Sequence, residues 1–263
     1  HAGGKVAEAR VDADALLAVG DPAATDTAGV APTWMDARVD GRAVTARVGK
    51  PVEIEALWWN ALAFGAAALP DAARWRKLAN RARRSFLVRF LDDDHGELDD
   101  VIDVDHVPGT RDPAFRPNQL FALGGLPRVL VSGPRARAIV DAIALRLWTP
   151  RGVRTLAPDD PRYRGRCVGG PRERDGAYHE GTAWPWLLWP LADAWARSRG
   201  NGKAARRSAW ERFIAPLETE LAARSESAHV AEIADGDAPH TWRGCPMQAW
   251  SLAALLQAEA LLR

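Results

Sequence analysis

The sequence predicts an all-α fold built from helical hairpins. Apolar stretches alternate with amphipathic ones along the chain, each long enough for a helix. No run of alternating apolar and polar residues reads as a core strand. The connections are asymmetric, short from each apolar stretch to the next amphipathic one and long on the way back. If the apolar helices form an inner ring and the amphipathic ones an outer ring, every long connection falls on one face. That face becomes a polar mouth lined by aromatic side chains.

In chain order, residues 1–32 are rich in Gly and Ala with weak periodicity, and are expected to be an irregular segment with one short helix near 14–19. The barrel is expected over 33–263. Pro51 opens the first inner helix, "PVEIEALWWNALAFGAAAL", with Glu53 and Glu55 in its first turn, where the helix dipole favours acids. After a turn at Pro70, "DAARWRKLANRARRSFLVRFLDDD" is amphipathic, with Ala82, Phe86 and Phe90 on one side and arginines on the other. "PNQLFALGGL" is the next inner helix and "GPRARAIVDAIALRLW" the next outer one. "WPWLLWPLADAWARS" is inner, and "KAARRSAWERFIAPLETELAAR" is outer, kinked or ended by Pro216. "PMQAWSLAALLQAEALL" closes the chain as an inner helix. Four inner and three outer helices make about seven of the twelve in a closed six-hairpin barrel, incomplete on its N-terminal side. The returns at 93–116, 149–181 and 225–243 exceed ~15 residues, a length at which unstructured loops are usually functional.

Composition narrows the function. Hydrophobic residues at 47% and charged residues at 26% of 263 make an ordinary globular chain, with room for one large domain or two small ones. A net charge of +1 gives no support for a nucleic-acid partner. No apolar run approaches the ~20 residues that span a bilayer, so no membrane is expected. Two cysteines offer no disulfide framework, which points to the cytoplasm. The first residues carry neither an apolar signal core nor an initiator Met, so the chain is expected to begin inside a larger product or after trimming. Twelve Trp against two Tyr and six Phe suit a cleft that stacks flat rings such as sugars.

The loops carry carboxylates. Asp36 follows Trp34 ahead of the first inner helix, and Glu232 precedes the last one, in "HVAEIADGDAPHTWRGCPMQAW" with Asp235 and Asp237. Glycoside hydrolysis needs two such carboxyls, one to protonate the leaving oxygen and one to activate water or attack the sugar. Taken singly, each acid also fits a helix cap or a surface partner for Arg. "RDGAYHEGTAWPW" adds Asp175, Tyr178, His179, Glu180 and Trp184, types that bind hydroxyls and stack on rings. The six His have no metal-ligand spacing, and the acidic run 92–105 reads as a solvated loop because Gly96 stands where a calcium loop needs a ligand. Nucleotide and serine-hydrolase motifs are absent, so no metal or cofactor is expected.

Five segments in order, "TWMDARVDGRAVTARVGKPVEIEALWWNAL", "RPNQLFAL", "RTLAPDDPRYRGR", "RDGAYHEGTAWPWLL" and "AEIADGDAPHTWRGCPMQAWS", resemble the glucosidase domain of glycogen debranching enzymes. The resemblance runs from about Thr33 to the C-terminus. It implies an (α/α)6 barrel and an inverting amylo-α-1,6-glucosidase that removes the branch-point glucose of glycogen or another branched α-glucan. It implies Asp36 as general acid and Glu232 as general base, their carboxyls facing across one pocket at roughly 6.5–9.5 Å. Substrate contacts are expected from Trp34, Trp58, Asn60, Gln119, Asp175, Tyr178, His179, Trp184 and Asp235. The chain departs from the family at Ala234, where an aromatic is common, and at Cys167, where Tyr is common. Only about thirty residues precede "TWMD", so a C-terminal fragment is expected. Other glucoside hydrolases or phosphorylases on the same scaffold, or an inactive glucan-binding remnant, are the alternatives.

Overall fold

In the computed structural model, residues 9–23, 29–91, 96–223 and 229–263 are described. The start of the expected N-terminal segment, part of the acidic run at 92–105 and part of the 225–243 return lie outside them. Among the described residues are eight α-helices and twelve strands in four antiparallel sheets. The all-α expectation is therefore corrected to a mixed α and β fold. The reason is strand length. Every strand has two or three residues, too few for the alternation that marks a strand over ~4–8 residues.

The chain divides into two compact units, His1–Pro113 and Ala114–Arg263. In the first unit, β1 (Ala9–Val11) and β2 (Leu17–Val19) form a hairpin, in place of the short helix expected near 14–19. A second hairpin, β3 (Arg38–Val39) with β4 (Arg42–Ala43), begins two residues after Asp36. β5 (Lys50–Pro51) leads into α1 (Val52–Ala68), which packs against α2 (Ala72–Arg89). β5 also pairs with β6 (Val101–Ile102), and β6 with β7 (Arg111–Asp112). The two acids in the first turn of α1 are buried anchors. Glu55 accepts the Leu17 amide with both oxygens, at 3.0 and 3.1 Å. Glu53 binds Arg47, which is 1% exposed and also reaches Asp100 at 2.6 Å. An arginine this deep is tolerated because both of its carboxylate partners are at hand. Arg47 also donates to the Thr33 hydroxyl at 3.3 Å, so the same knot ties down the segment that carries Trp34 and Asp36.

The second unit begins with a 3-10 segment, Pro117–Ala122, in place of the expected second inner helix. Then come α3 (Gly133–Arg146), β8 (Trp148–Thr149), β9 (Gly152–Arg154), α4 (Pro171–Ala177) and β10 (Ala183–Trp184). α5 (Leu188–Arg197) is buried over most of its length. α6 (Lys203–Ala209) is separated from α7 (Ala215–Ala222) by a π-helical turn, Trp210–Ile214, just ahead of Pro216. The break expected at that proline is thus a widened turn, which fits a residue with no N–H to give to the carbonyl one turn back. β11 (Ile233–Ala234), β12 (Trp242–Arg243) and α8 (Ala249–Leu262) complete the chain, with α8 packed on α5. The strands join in one antiparallel sheet of order β12-β11-β10-β9-β8. This sheet stitches together returns that are irregular by sequence pattern. Among the described residues, no helix is long and apolar enough to cross a membrane.

Candidate active site

The five-stranded sheet positions the candidate site residues Glu232 and Asp235 in the second unit. Glu232 immediately precedes β11 and Asp235 immediately follows it. Ile233 stands opposite Arg243 on β12, and Ala234 opposite Ala183 on β10.

Glu232 is half-buried, and both of its oxygens are held. The Cys245 amide donates to Oε2 at 3.1 Å, and the Gln248 side-chain amide donates to Oε1 at 3.1 Å. The Glu232 amide donates in turn to the Cys245 carbonyl at 2.8 Å. Gly244 makes this wrap possible. Its φ is +66°, and a Cβ there would stand 2.5 Å from Oε2.

A pocket of about 450 Å³ opens beside this carboxylate, lined in part by Cys167, Arg174, Asp175, Tyr178, Arg243 and Gly244. Gly244 is the shared residue that brings Glu232 to the pocket's edge. Asp235 braces two of the lining residues. It is 3% exposed, accepts the Cys167 amide at 2.9 Å and pairs with Arg243 at 3.0 Å. It therefore binds the 165–168 segment to β12. Burial, reinforced by the Asp235 charge, pushes the Cys167 thiol up, so it stays protonated. Tyr163 donates to Asp237 at 2.9 Å, and burial together with that carboxylate pushes its phenol up to about 12.

Tyr178, His179 and Trp184 pack together, with ring centroids 4.9–5.1 Å apart. Their depths differ. Tyr178 is half-buried on the pocket, whereas Trp184 is 1% exposed and donates its indole N–H to the Tyr178 carbonyl at 3.2 Å. Trp184 acts as the floor under the other two rings. Trp250 lies 5.5 Å from it and stacks on Trp186 at 5.3 Å, extending the aromatic line to a ring that is 40% exposed. Arg116 holds the floor from within. It is buried, donates to the carbonyls of Thr155 (3.1 Å) and His179 (2.7 Å), and grips the Glu180 carboxylate at 2.9 and 3.0 Å. Gln119 is buried too, and donates to the Arg116 carbonyl at 3.1 Å.

The remaining expected residues belong to the first unit. Asp36 is exposed, beside fully buried Met35, and Trp34 is half-buried. Trp58 donates its indole N–H to the Ala15 carbonyl at 3.0 Å, and Asn60 donates to Ala56, one turn back in α1, at 2.9 Å. Cys167, Arg174, Arg243, Gly244, Gln248 and Trp250 are not among the residues expected from sequence. The available signal for several of them is the "WRGCPMQAW" stretch that follows the acidic motif, where a glycine stands between charged and apolar neighbours.

A family model described as amylo-alpha-1,6-glucosidase matches residues 1–257. Among solved structures, the GH63 mannosylglycerate hydrolase from Thermus thermophilus in complex with glucose is similar, with a TM-score of 0.56 at 18% identity, over 80% of this chain and 48% of that one. The same hydrolase with Tris and D-glycerate gives 0.54 at 20% identity, over 80% and 45%. An uncharacterized conserved protein from the same organism gives 0.54 at 19%, over 80% and 46%. At these identities the likeness is one of fold, and the chain spans about half the length of the chains it matches. No curated protein matches it.

Proposed function

We propose a function from one premise: the chain belongs to the amylo-alpha-1,6-glucosidase family. It is an inverting glucosidase that removes the single α-1,6-linked glucose from the branch point of glycogen or a limit dextrin. Asp36 is the general acid that protonates the leaving glycosidic oxygen. Glu232 is the general base that takes a proton from water as that water attacks C1 from the opposite face. No covalent intermediate forms, so the anomeric configuration inverts. The observation that carries this reading is Glu232 itself, held at both oxygens at the edge of a polar pocket whose volume suits a sugar ring. Asp175 and Tyr178 offer hydroxyl partners there, with buried Gln119, His179, Trp184 and Asp235 proposed as the support behind them, and Trp34, Trp58 and Asn60 are proposed as further substrate contacts from the first unit. The two free cysteines fit work in the cytoplasm. Incubation with limit dextrin tests the proposal. Release of free glucose, lost in Glu232→Gln, is expected, and failure to release glucose rejects it.

Arg174 favours a second reading. It lines the pocket, and among the described residues no ion pair ties its guanidinium. With a mannosylglycerate hydrolase sharing the fold, a glycoside with a carboxylate-bearing aglycone is the second candidate. A panel of neutral and acidic glycosides, with and without phosphate, separates these readings.

A further inference from the structure

Gln248 stands at the N-cap of α8, with extended φ and ψ of −112° and 117°, and its side chain makes no capping hydrogen bond. Ser, Thr, Asp or Asn would serve that position better, because a short side chain can turn back to the first free amides of the helix. The Gln248 amide instead points to Glu232, donating to Oε1 at 3.1 Å. The backbone around it is fixed. Its N–H donates to the Val230 carbonyl at 2.9 Å, and its carbonyl accepts from Leu252 at 3.2 Å. The side chain therefore leaves from a set point at the start of a long helix.

The Glu232 carboxylate needs this second donor. The Cys245 amide anchors Oε2 only, and a carboxylate anchored at one oxygen still swings about its last torsion. A donor on the other oxygen sets its plane. Two donors occupy two of about four acceptor sites on the carboxylate, which leaves lone pairs for the attacking water. We infer that Gln248 is the positioning residue of Glu232: it fixes the carboxylate plane so that one free lone pair faces the water that attacks the sugar. This inference rests on the proposed role of Glu232 and adds a residue to it.

The test uses the full chain and compares Gln248→Ser with Gln248→Met. Ser supplies a short capping group and Met keeps the length, but neither reaches Oε1 with a donor. Both variants are expected to lower kcat at least ~10-fold, since small misplacements of a catalytic group cost this much or more, with KM within about 2-fold of wild type. Thermal stability is expected to stay level or rise in Gln248→Ser. A residue important only for folding would move stability and activity together. In combination with Glu232→Gln, Gln248→Met should add less than about a 2-fold further loss, because the two residues act as one unit. The inference is overturned by kcat within about 2-fold of wild type in both variants, by unchanged kcat per folded molecule in a destabilised variant, or by defects that multiply in the double variant when measured against the residual activity of Glu232→Gln. Full activity in Glu232→Gln, or none in wild type, overturns the role of Glu232 and the inference with it.

Discussion

Arg116→Met removes the cation that holds the aromatic floor of the second unit while keeping the length and apolar bulk of the side chain. Arg116 is 1% exposed and donates to two carbonyls and to both oxygens of Glu180, whose side chain is 6% exposed. Methionine makes none of these bonds. Breaking a buried ion pair from one side costs about 3–5 kcal/mol, because a buried charge loses its partner. In a domain of this size each kcal/mol shifts Tm by about 2–4 °C, so Tm should fall by roughly 6–20 °C. Calorimetry and urea unfolding measure the loss. Adding Glu180→Leu to Arg116→Met should restore part of it, since no charge then remains buried at that point. The segment bearing Tyr178 and His179 should loosen with the pair, so sugar affinity should drop in the single variant. A Tm within about 2 °C of wild type, or a double variant as unstable as the sum of the two singles, would refute the reasoning.

Three further outcomes are expected. Gly244→Ala forces a Cβ against Glu232 Oε2 at a backbone φ of +66°; kcat should fall at least ~10-fold with a stability cost on the order of 1 kcal/mol, and an unchanged kcat contradicts the placement of Glu232. Asp103 governs acid stability in the first unit: burial pushes its carboxyl up, but Arg89, the Gly109 amide and Lys50 outweigh burial and hold it at about 2, below its ordinary 3.8. Its stabilisation is therefore complete above about pH 4 and lost as the pH falls from about 4 to 2; urea midpoints over that range should drop in wild type and drop less in Asp103→Asn, and parallel curves contradict this. Asp36→Asn should lower kcat on limit dextrin at least ~10²-fold, and α-glucosyl fluoride, which needs little leaving-group protonation, should restore it in part; no rescue, or no defect, removes Asp36 as the acid.

The helices are legible in the sequence where the pattern is long. α1, α2, α3 and α8 stand within the stretches expected from apolar and amphipathic periodicity, and the break at Pro216 announces itself by its missing N–H. Two-residue strands such as Ala183–Trp184 and Ile233–Ala234 carry no period to read. They form because partners distant in the chain meet them: Ala183 pairs with Ala234, about fifty residues later, and with Arg154, about thirty residues earlier. The acidic motif stands out in the sequence, but of its acids Asp235 proves to be an ion-pair partner of Arg243, one of the readings open for a single acid. The geometry around Glu232 is not legible, because Gln248 lies within the stretch expected as the closing helix and only the fold brings its side chain onto Glu232. Trp184 reads as a ring at the mouth and is a buried floor: nothing in a tryptophan's local sequence distinguishes the two, and only the packing of His179 and Tyr178 over it does.

In the proposed reaction Glu232 activates water for a single inverting displacement. Proton NMR of the anomeric signal during early turnover of limit dextrin tests it most directly. Inversion at an α-1,6 linkage predicts β-glucose first, with α-glucose appearing later at the rate of mutarotation, and neither from Glu232→Gln. Release of α-glucose first, or undiminished release from Glu232→Gln, would contradict it.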